Sequence, residues 1–428
     1  MQPPAKIGWE PGKLGLGIAL AAAGAALALA HPSFLTAPNL VNLVRQISIN
    51  GILAVGVTWV LLTGGVDLSL GSLVALTGVT AAMLARPDEY PMLVPLAAGV
   101  LAGAACGAVN GALVTRLRVA PFIATLGMMT AARGLALVVS GGKPVSNLSR
   151  EFTRLGSADL LGVPVPALVL AAVALVSWVC LNNLRLGRYV YAVGGNQEAA
   201  RASGIRVNRV KTAAYVICGA LAGLAGVVLA ARITTGQPNA GLGYELDAIA
   251  AVVIGGTSLS GGVGGIGGTL LGALLMGVIN NGLDLLNVSS YYQQIVKGVI
   301  IVGAVALERW GELHEIQGAA IFLAMSVHSI PEGVAVGVGY ASEKVYQTQL
   351  GSYIALAIAI HNIPEGLAVA IPLRSAGASI VKCFFAAFLT SLPQPIAAVP
   401  AAMASWFFQP IMPVLMGFAA GAMMFLIL

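Results

Sequence analysis

The sequence predicts an all-α, polytopic membrane bundle of about ten transmembrane spans followed by about four more. Three observations predict it. Hydrophobic residues make up 58% of the 428 residues and charged residues only 9%, against about 25% charged in soluble globular chains. The apolar residues gather into continuous runs, and about fourteen of these approach the 20 residues that carry a helix across the hydrocarbon. Continuity also argues against a transmembrane β-barrel, whose strands alternate. Glycine is abundant, at 54 residues, and small residues let membrane helices approach closely.

The first part runs from residue 1 to 309. Its expected spans are 13–31, 48–63, 67–85, 92–115, 121–140, 163–183, 211–231, 246–257, 267–287 and 294–308. The apolar run Leu14 to Ala30 is matched in length by a signal peptide, but the many spans after it make it a first transmembrane helix. With the N-terminus cytoplasmic, Arg116 and Arg118 fall inside, as do Arg185, Arg188, Arg201, Arg206, Arg209 and Lys211. That long basic loop is the strongest orientation signal. Lys143, Arg150 and Arg154 fall outside and run against it. The second part, 310–428, has expected spans at 316–340, 350–372, 379–405 and 408–428. Its abrupt end in an apolar stretch predicts a truncated module.

The net charge of +6 is spread over loops, so a membrane-lipid environment and no nucleic-acid partner are expected. Cys106, Cys180, Cys218 and Cys383 lie in separate apolar stretches without a CxxC pair, and read as small buried hydrophobes. The glycine-rich run Gly255–Gly268 lacks the G-x-x-x-x-G-K-[ST] pattern of a nucleotide loop. It predicts tight helix packing and a re-entrant turn.

Two clusters stand out chemically. His328-Ser329-Ile330-Pro331-Glu332-Gly333 recurs as His361-Asn362-Ile363-Pro364-Glu365-Gly366. Residues four apart share one helix face, and ionisable groups inside a membrane are costly and usually functional. Two such helices face to face offer two imidazoles and two carboxylates to a cation. The set suits Zn²⁺ and also Fe²⁺, Mn²⁺ or Cd²⁺. The alternative is that each His–Glu pair satisfies itself within its own helix. A zinc protease is excluded, because His314-Glu315 is followed by Ile316-Gln317-Gly318 rather than x-x-His. His314 and His31 read as interfacial residues. The second cluster holds Asp67, Ser69 and Ser72, where Asp67 either lines a substrate pathway or caps the helix beginning at Leu68.

Gly195-Asn196-Gln197-Glu198-Ala199-Ala200-Arg201-Ala202-Ser203-Gly204 resembles the coupling loop of ABC importer permeases. There a short helix docks on the ATPase, which implicates Glu198, Ala199, Ala200 and Gly204. The stretches Thr63–Ser72, Pro121–Gly127, Tyr244–Ala250 and Ser289–Gly298 are similar to monosaccharide permeases of the ribose and xylose type. The resemblance implies a homodimeric subunit in a bacterial inner membrane, served by a separate ATPase and a periplasmic sugar-binding protein. The lack of a Walker sequence fits a transport protein that binds no nucleotide itself and is not an enzyme.

The doubled H-[SN]-I-P-E-G, with Gly366–Arg374 and Ser391–Pro395, is similar to two helices of ZIP-type zinc transporters. The resemblance implies His328, Glu332, His361 and Glu365 as primary metal ligands, with Asn362 and Ser329 at a neighbouring site. Gln394 stands where many members carry a bridging glutamate, so one metal rather than two is expected. With only four of eight family spans, the segment is expected to bind a divalent cation without conducting it alone. The main expectation is a monosaccharide ABC permease joined to a partial ZIP-like segment. A zinc transporter scaffolded by the permease, and a metal-regulated permease, are the alternatives.

Overall fold

The computed structural model describes residues 11–312, 317–346, 349–375 and 379–405, some helix side chains excepted. The chain forms two compact units, Met1–Val305 and Ala306–Leu428. Almost everything described is helix, as the composition requires.

In the first unit the helices are α1 (Pro11–Ala30), α2 (Ala37–Leu62), α3 (Leu70–Leu84), α4 (Leu93–Thr115) and α5 (Pro121–Ser140). A short α6 (Arg150–Ser157) precedes a two-residue hairpin, β1 (Asp159–Leu160) and β2 (Val163–Pro164). Then come α7 (Val165–Asn183), α8 (Arg185–Gly195), α9 (Gln197–Ala202), α10 (Val207–Arg232), α11 (Tyr244–Ile254), α12 (Ile266–Leu285) and α13 (Ser290–Glu312), whose last residues pass the unit boundary at Val305. The second unit holds α14 (Gln317–Tyr346), α15 (Leu350–Ser375), α16 (Ile380–Thr390) and α17 (Pro393–Met403).

Among the described residues, seven helical stretches are long and apolar enough to cross a membrane, and α3 and part of α1 are shorter apolar helices. Helix α2 is the axis of the first unit. It is buried on all sides from Ile47 to Leu62, save Asn50, as a helix apolar all round must be. Helices α4, α5 and α7 form the rim and leave Leu101, Val138 and Leu175 exposed.

The α4–α10 contact shows what the glycines do. Gly99, Gly103, Gly107 and Gly111 recur every four residues along one face of α4. A Cβ on Gly103 would meet the Gly219 carbonyl of α10, and one on Gly107 the Tyr215 carbonyl. From the other side, a Cβ on Gly223 would meet the Gly99 carbonyl. The two backbones touch because α4 presents glycines along this seam, facing Gly219 and Gly223 of α10 over its middle. The glycine-rich run behaves likewise: Gly268 and Gly272 of α12 pack on the backbone of Gly255 and Ala251.

Three boundaries differ from expectation. Helix α2 begins at Ala37 rather than 48, because its polar first turns find partners. Asn39 and Asn281 exchange side-chain hydrogen bonds of 3.0 and 2.9 Å, and Asn42 accepts 2.7 Å from Arg232. Helix α11 has 11 residues, about 16 Å at 1.5 Å per residue, so it does not cross the bilayer alone. The stretch 379–405 is broken between Thr390 and Pro393, where Pro393 lacks the N–H to continue the ladder. The expected span 408–428 and His314 lie outside the described residues.

Candidate functional site

In the second unit, α14 carries His328 and Glu332 on one face and runs on through Pro331. Helix α15 brings Glu365 against them. His328 Nε2 lies 3.0 Å from Glu365 Oε1 and 3.5 Å from Glu332 Oε1, and all three residues are at most 5% exposed. Their ligand atoms fall within 4.8 Å of one another. A tetrahedral ion with bonds of about 2.0–2.1 Å spaces its ligands by about 3.3 Å. The cluster therefore already has the donor types and the spacing of a divalent-cation site. The contacts run between helices as well as along α14, so the self-satisfied pair within one helix is not the whole arrangement. His361 sits on α15 one turn before Glu365, with its side chain outside the described residues. Ser329 is buried beside His328.

Gln394 is the second residue of α17, directly after the break between Thr390 and Pro393. Its Nε2 donates to Glu332 Oε2 at 2.7 Å, and its amide exchanges hydrogen bonds of 2.8 and 2.9 Å with Asn362. Each of α14, α15 and α17 thus gives one residue to a continuous polar chain. Gly333 makes it possible, since a Cβ there would overlap the Gln394 backbone. A mostly apolar cavity of about 470 Å³ runs away from Asn362 and Gln394 along Gly337, Ala355, Ala359 and Ala398.

In the first unit, α9 is a six-residue helix closed at both ends. The Asn196 side chain accepts from Ala199 N at 2.9 Å, and Gly204 takes a left-handed φ of +82° just past the C-terminus. Glu198 and Arg201 form an exposed ion pair of 2.7 Å. Ala199 is exposed, whereas Ala200 is buried in the unit's core. Of the four residues singled out for coupling, Glu198 and Ala199 face outward, Ala200 anchors the helix and Gly204 ends it.

Asp67, Ser69 and Ser72 are buried. Asp67 Oδ1 accepts from Ser69 N at 2.9 Å and from Ser69 Oγ at 2.5 Å, and Asn110 donates to Ser69 Oγ at 3.1 Å. The carboxylate holds Ser69, the residue just before α3, in a local side-chain-to-backbone turn, and Ser69 itself makes no side-chain cap bond to the helix.

Sequence reasoning passed over three residues as sites. Asn110 completes the Asp67–Ser69 network. Arg133 donates from α5 to the carbonyls of Pro238 and Ala240, both at 2.8 Å. Lys297 pairs with buried Asp247. Charges inside apolar spans were the available signal for Arg133 and Lys297.

A family model described as "Branched-chain amino acid transport system / permease component" matches residues 39–305. A second, "ZIP Zinc transporter", matches residues 311–428. The chain is 52% identical over 295 residues to the ribose import permease protein RbsC of Escherichia coli K12, covering 68% of this chain and 92% of that protein. It is 48% identical over 285 residues to RbsC of Bacillus subtilis 168, covering 66% and 88%. The D-allose transport system permease protein AlsC of E. coli K12 is 42% identical over 276 residues, covering 64% and 85%. No solved structure matches the chain significantly.

Proposed function

Because the chain belongs to the family of branched-chain amino acid transport system permease components, we propose that it is the membrane subunit of an ABC importer for a ribose-type monosaccharide. The observation that carries this is the 52% identity across nearly the whole of a ribose import permease. The outward-facing Glu198 and Ala199 on a doubly capped helix support α9 as the ATPase contact, since exposed function on a rigid short element is how docking surfaces are built. Under this reading the α9 face is cytoplasmic, as is the N-terminus, the subunit works as a homodimer in lipid, and a periplasmic protein delivers the sugar. The buried polar set Asp67, Ser69 and Ser72 is assigned to the pathway wall, with Asp67 also holding α3 in place.

The test is uptake of labelled ribose by cells lacking their own ribose permease but supplied with a ribose-system ATPase and binding protein. Restored uptake that disappears on Glu198→Arg supports the reading; uptake independent of the ATPase refutes it.

For residues 310–428 we propose a ZIP-like module that takes a divalent cation, Zn²⁺ first, at His328, Glu332, His361 and Glu365, with Asn362, Ser329 and Gln394 around them. The mutual spacing of His328, Glu332 and Glu365 supports it. Zinc is cargo or signal here rather than a catalytic group. Equilibrium dialysis of the purified chain with Zn²⁺ tests it, with stoichiometric binding expected and loss in Glu365→Gln.

A further inference from the structure

A cavity of about 960 Å³ opens on the face of the first unit that carries α9. Its walls come from the end of α4 and the loop after it, from α9 and from the start of α10. Arg118, Arg201, Arg206, Arg209 and Lys211 line it, and no carboxylate does. Of these five cations only Arg201 has an ion-pair partner among the described residues, Glu198. Solvent screens a row of arginines on a convex surface, but a concave wall focuses their potential into the recess.

Two features of the backbone sharpen this. Arg118 holds a left-handed φ of +55°, at the close of α4, where Arg116 N and Leu117 N both return to the Ala112 carbonyl. Glycine is the default residue for that conformation, so an arginine there keeps its side chain at the expense of backbone ease. The N-terminus of α10, 26 residues long, enters the same recess without a side-chain cap, and adds the positive end of a helix dipole. Guanidinium groups are matched to phosphate by their planar fork.

We propose that this recess binds a phosphate-bearing anion, which bridges Arg118 on one wall to Arg206 and Arg209 on the other. A lipid headgroup and a soluble phosphate share that chemistry. The recess shares α9 with the proposed ATPase contact, but its test needs neither ATPase nor sugar, so its failure and the failure of the coupling reading are distinguishable.

The purified full-length chain in neutral detergent is titrated with inorganic pyrophosphate, and separately with phosphatidylglycerol or phosphatidylcholine in mixed micelles, while its melting temperature is followed. A saturable rise is expected with pyrophosphate, if the source is soluble, or with phosphatidylglycerol but not phosphatidylcholine, if it is lipid. R206Q/R209Q should weaken the effective ligand at least tenfold. Arg118→Gly, which removes the cation on the opposite wall while suiting the backbone, should do the same. R185Q/R188Q, an equal loss of charge outside the recess, should change it less than twofold. No shift with either phosphate source, or equal weakening by R185Q/R188Q, overturns the proposal.

Discussion

Lys297 Nζ of α13 lies 2.8 Å from Asp247 Oδ2 of α11, in a part of the bundle where Asp247 is only 3% exposed. The two residues belong to stretches far apart in sequence, and both stretches carried the resemblance to sugar permeases. Asn280 of α12 approaches the same carboxylate oxygen at 3.4 Å. The short helix α11, unable to span by itself, is thereby tied to both helices that follow it. Removing one member of a buried pair leaves an uncompensated charge, at a cost of about 3–5 kcal/mol. Lys297 is about a quarter exposed, so Lys297→Met should fall at the lower end of that range. D247N/K297M should be milder than Lys297→Met alone. Thermal melting of the three proteins in detergent checks this, and a double variant no better than the single one refutes the pairing.

The α4–α10 seam predicts a sharp contrast among glycines. Gly103→Leu drives a side chain into the Gly219 backbone, with no flexible neighbour to yield. Gly127 on α5 has nothing within 4 Å of its would-be Cβ. Gly103→Leu should abolish a monodisperse peak in size-exclusion chromatography, while Gly127→Ala should elute like the parent. Helix propensity alone gives both substitutions the same favourable sign, so the difference isolates packing.

Those two cases mark where the sequence was readable. Span positions followed from apolar run length, and α4, α5, α7, α10 and α12 lie close to where composition put them. The His–Glu repeat and Asp67 stood out because charge in an apolar run is expensive. What stayed hidden depended on partners distant in sequence. The polar start of α2 looked like loop until Asn281 and Arg232 supplied its hydrogen bonds. Gln394 was visible only as a departure from a family pattern, and its contact with Glu332 needed the break at Pro393 and the bare backbone of Gly333. Arg118 read as an ordinary positive-inside residue, because its backbone conformation and the recess beside it have no sequence signature.

Under the proposed reading of α9 as the ATPase contact, docking and folding fall to adjacent positions of the helix. Glu198→Arg replaces an exposed carboxylate whose ion pair is solvent-screened, and such pairs contribute about 0–1 kcal/mol. Stimulation of the partner ATPase should be lost while the melting temperature stays within about 2 °C, since a change of 1 kcal/mol moves a domain of this size by a few degrees at most. Ala200→Glu places a charge in the core instead, and should lower the melting temperature and the yield. Equal destabilisation by both variants would show that Glu198 acts structurally.

The cation cluster makes a prediction about a residue that cannot bind metal at all. Gly333 has no ligand atom, yet a methyl group there collides with the backbone at Gln394. Gly333→Ala should therefore push α17 away from α14 and carry Gln394 Nε2 off Glu332 Oε2. Groups that orient a ligand from behind are worth roughly 10–100-fold in metal affinity. Gly333→Ala and Gln394→Ala should each weaken Zn²⁺ binding by about tenfold, and together by little more, because both remove the same hydrogen bond. Glu332→Gln, which removes a donor atom, should cost more than either. Competition against a chelating fluorophore measures all four proteins. Additive losses in the double variant would mean that Gly333 and Gln394 act through separate routes, and that the polar chain from α17 does not hold Glu332 for the ion.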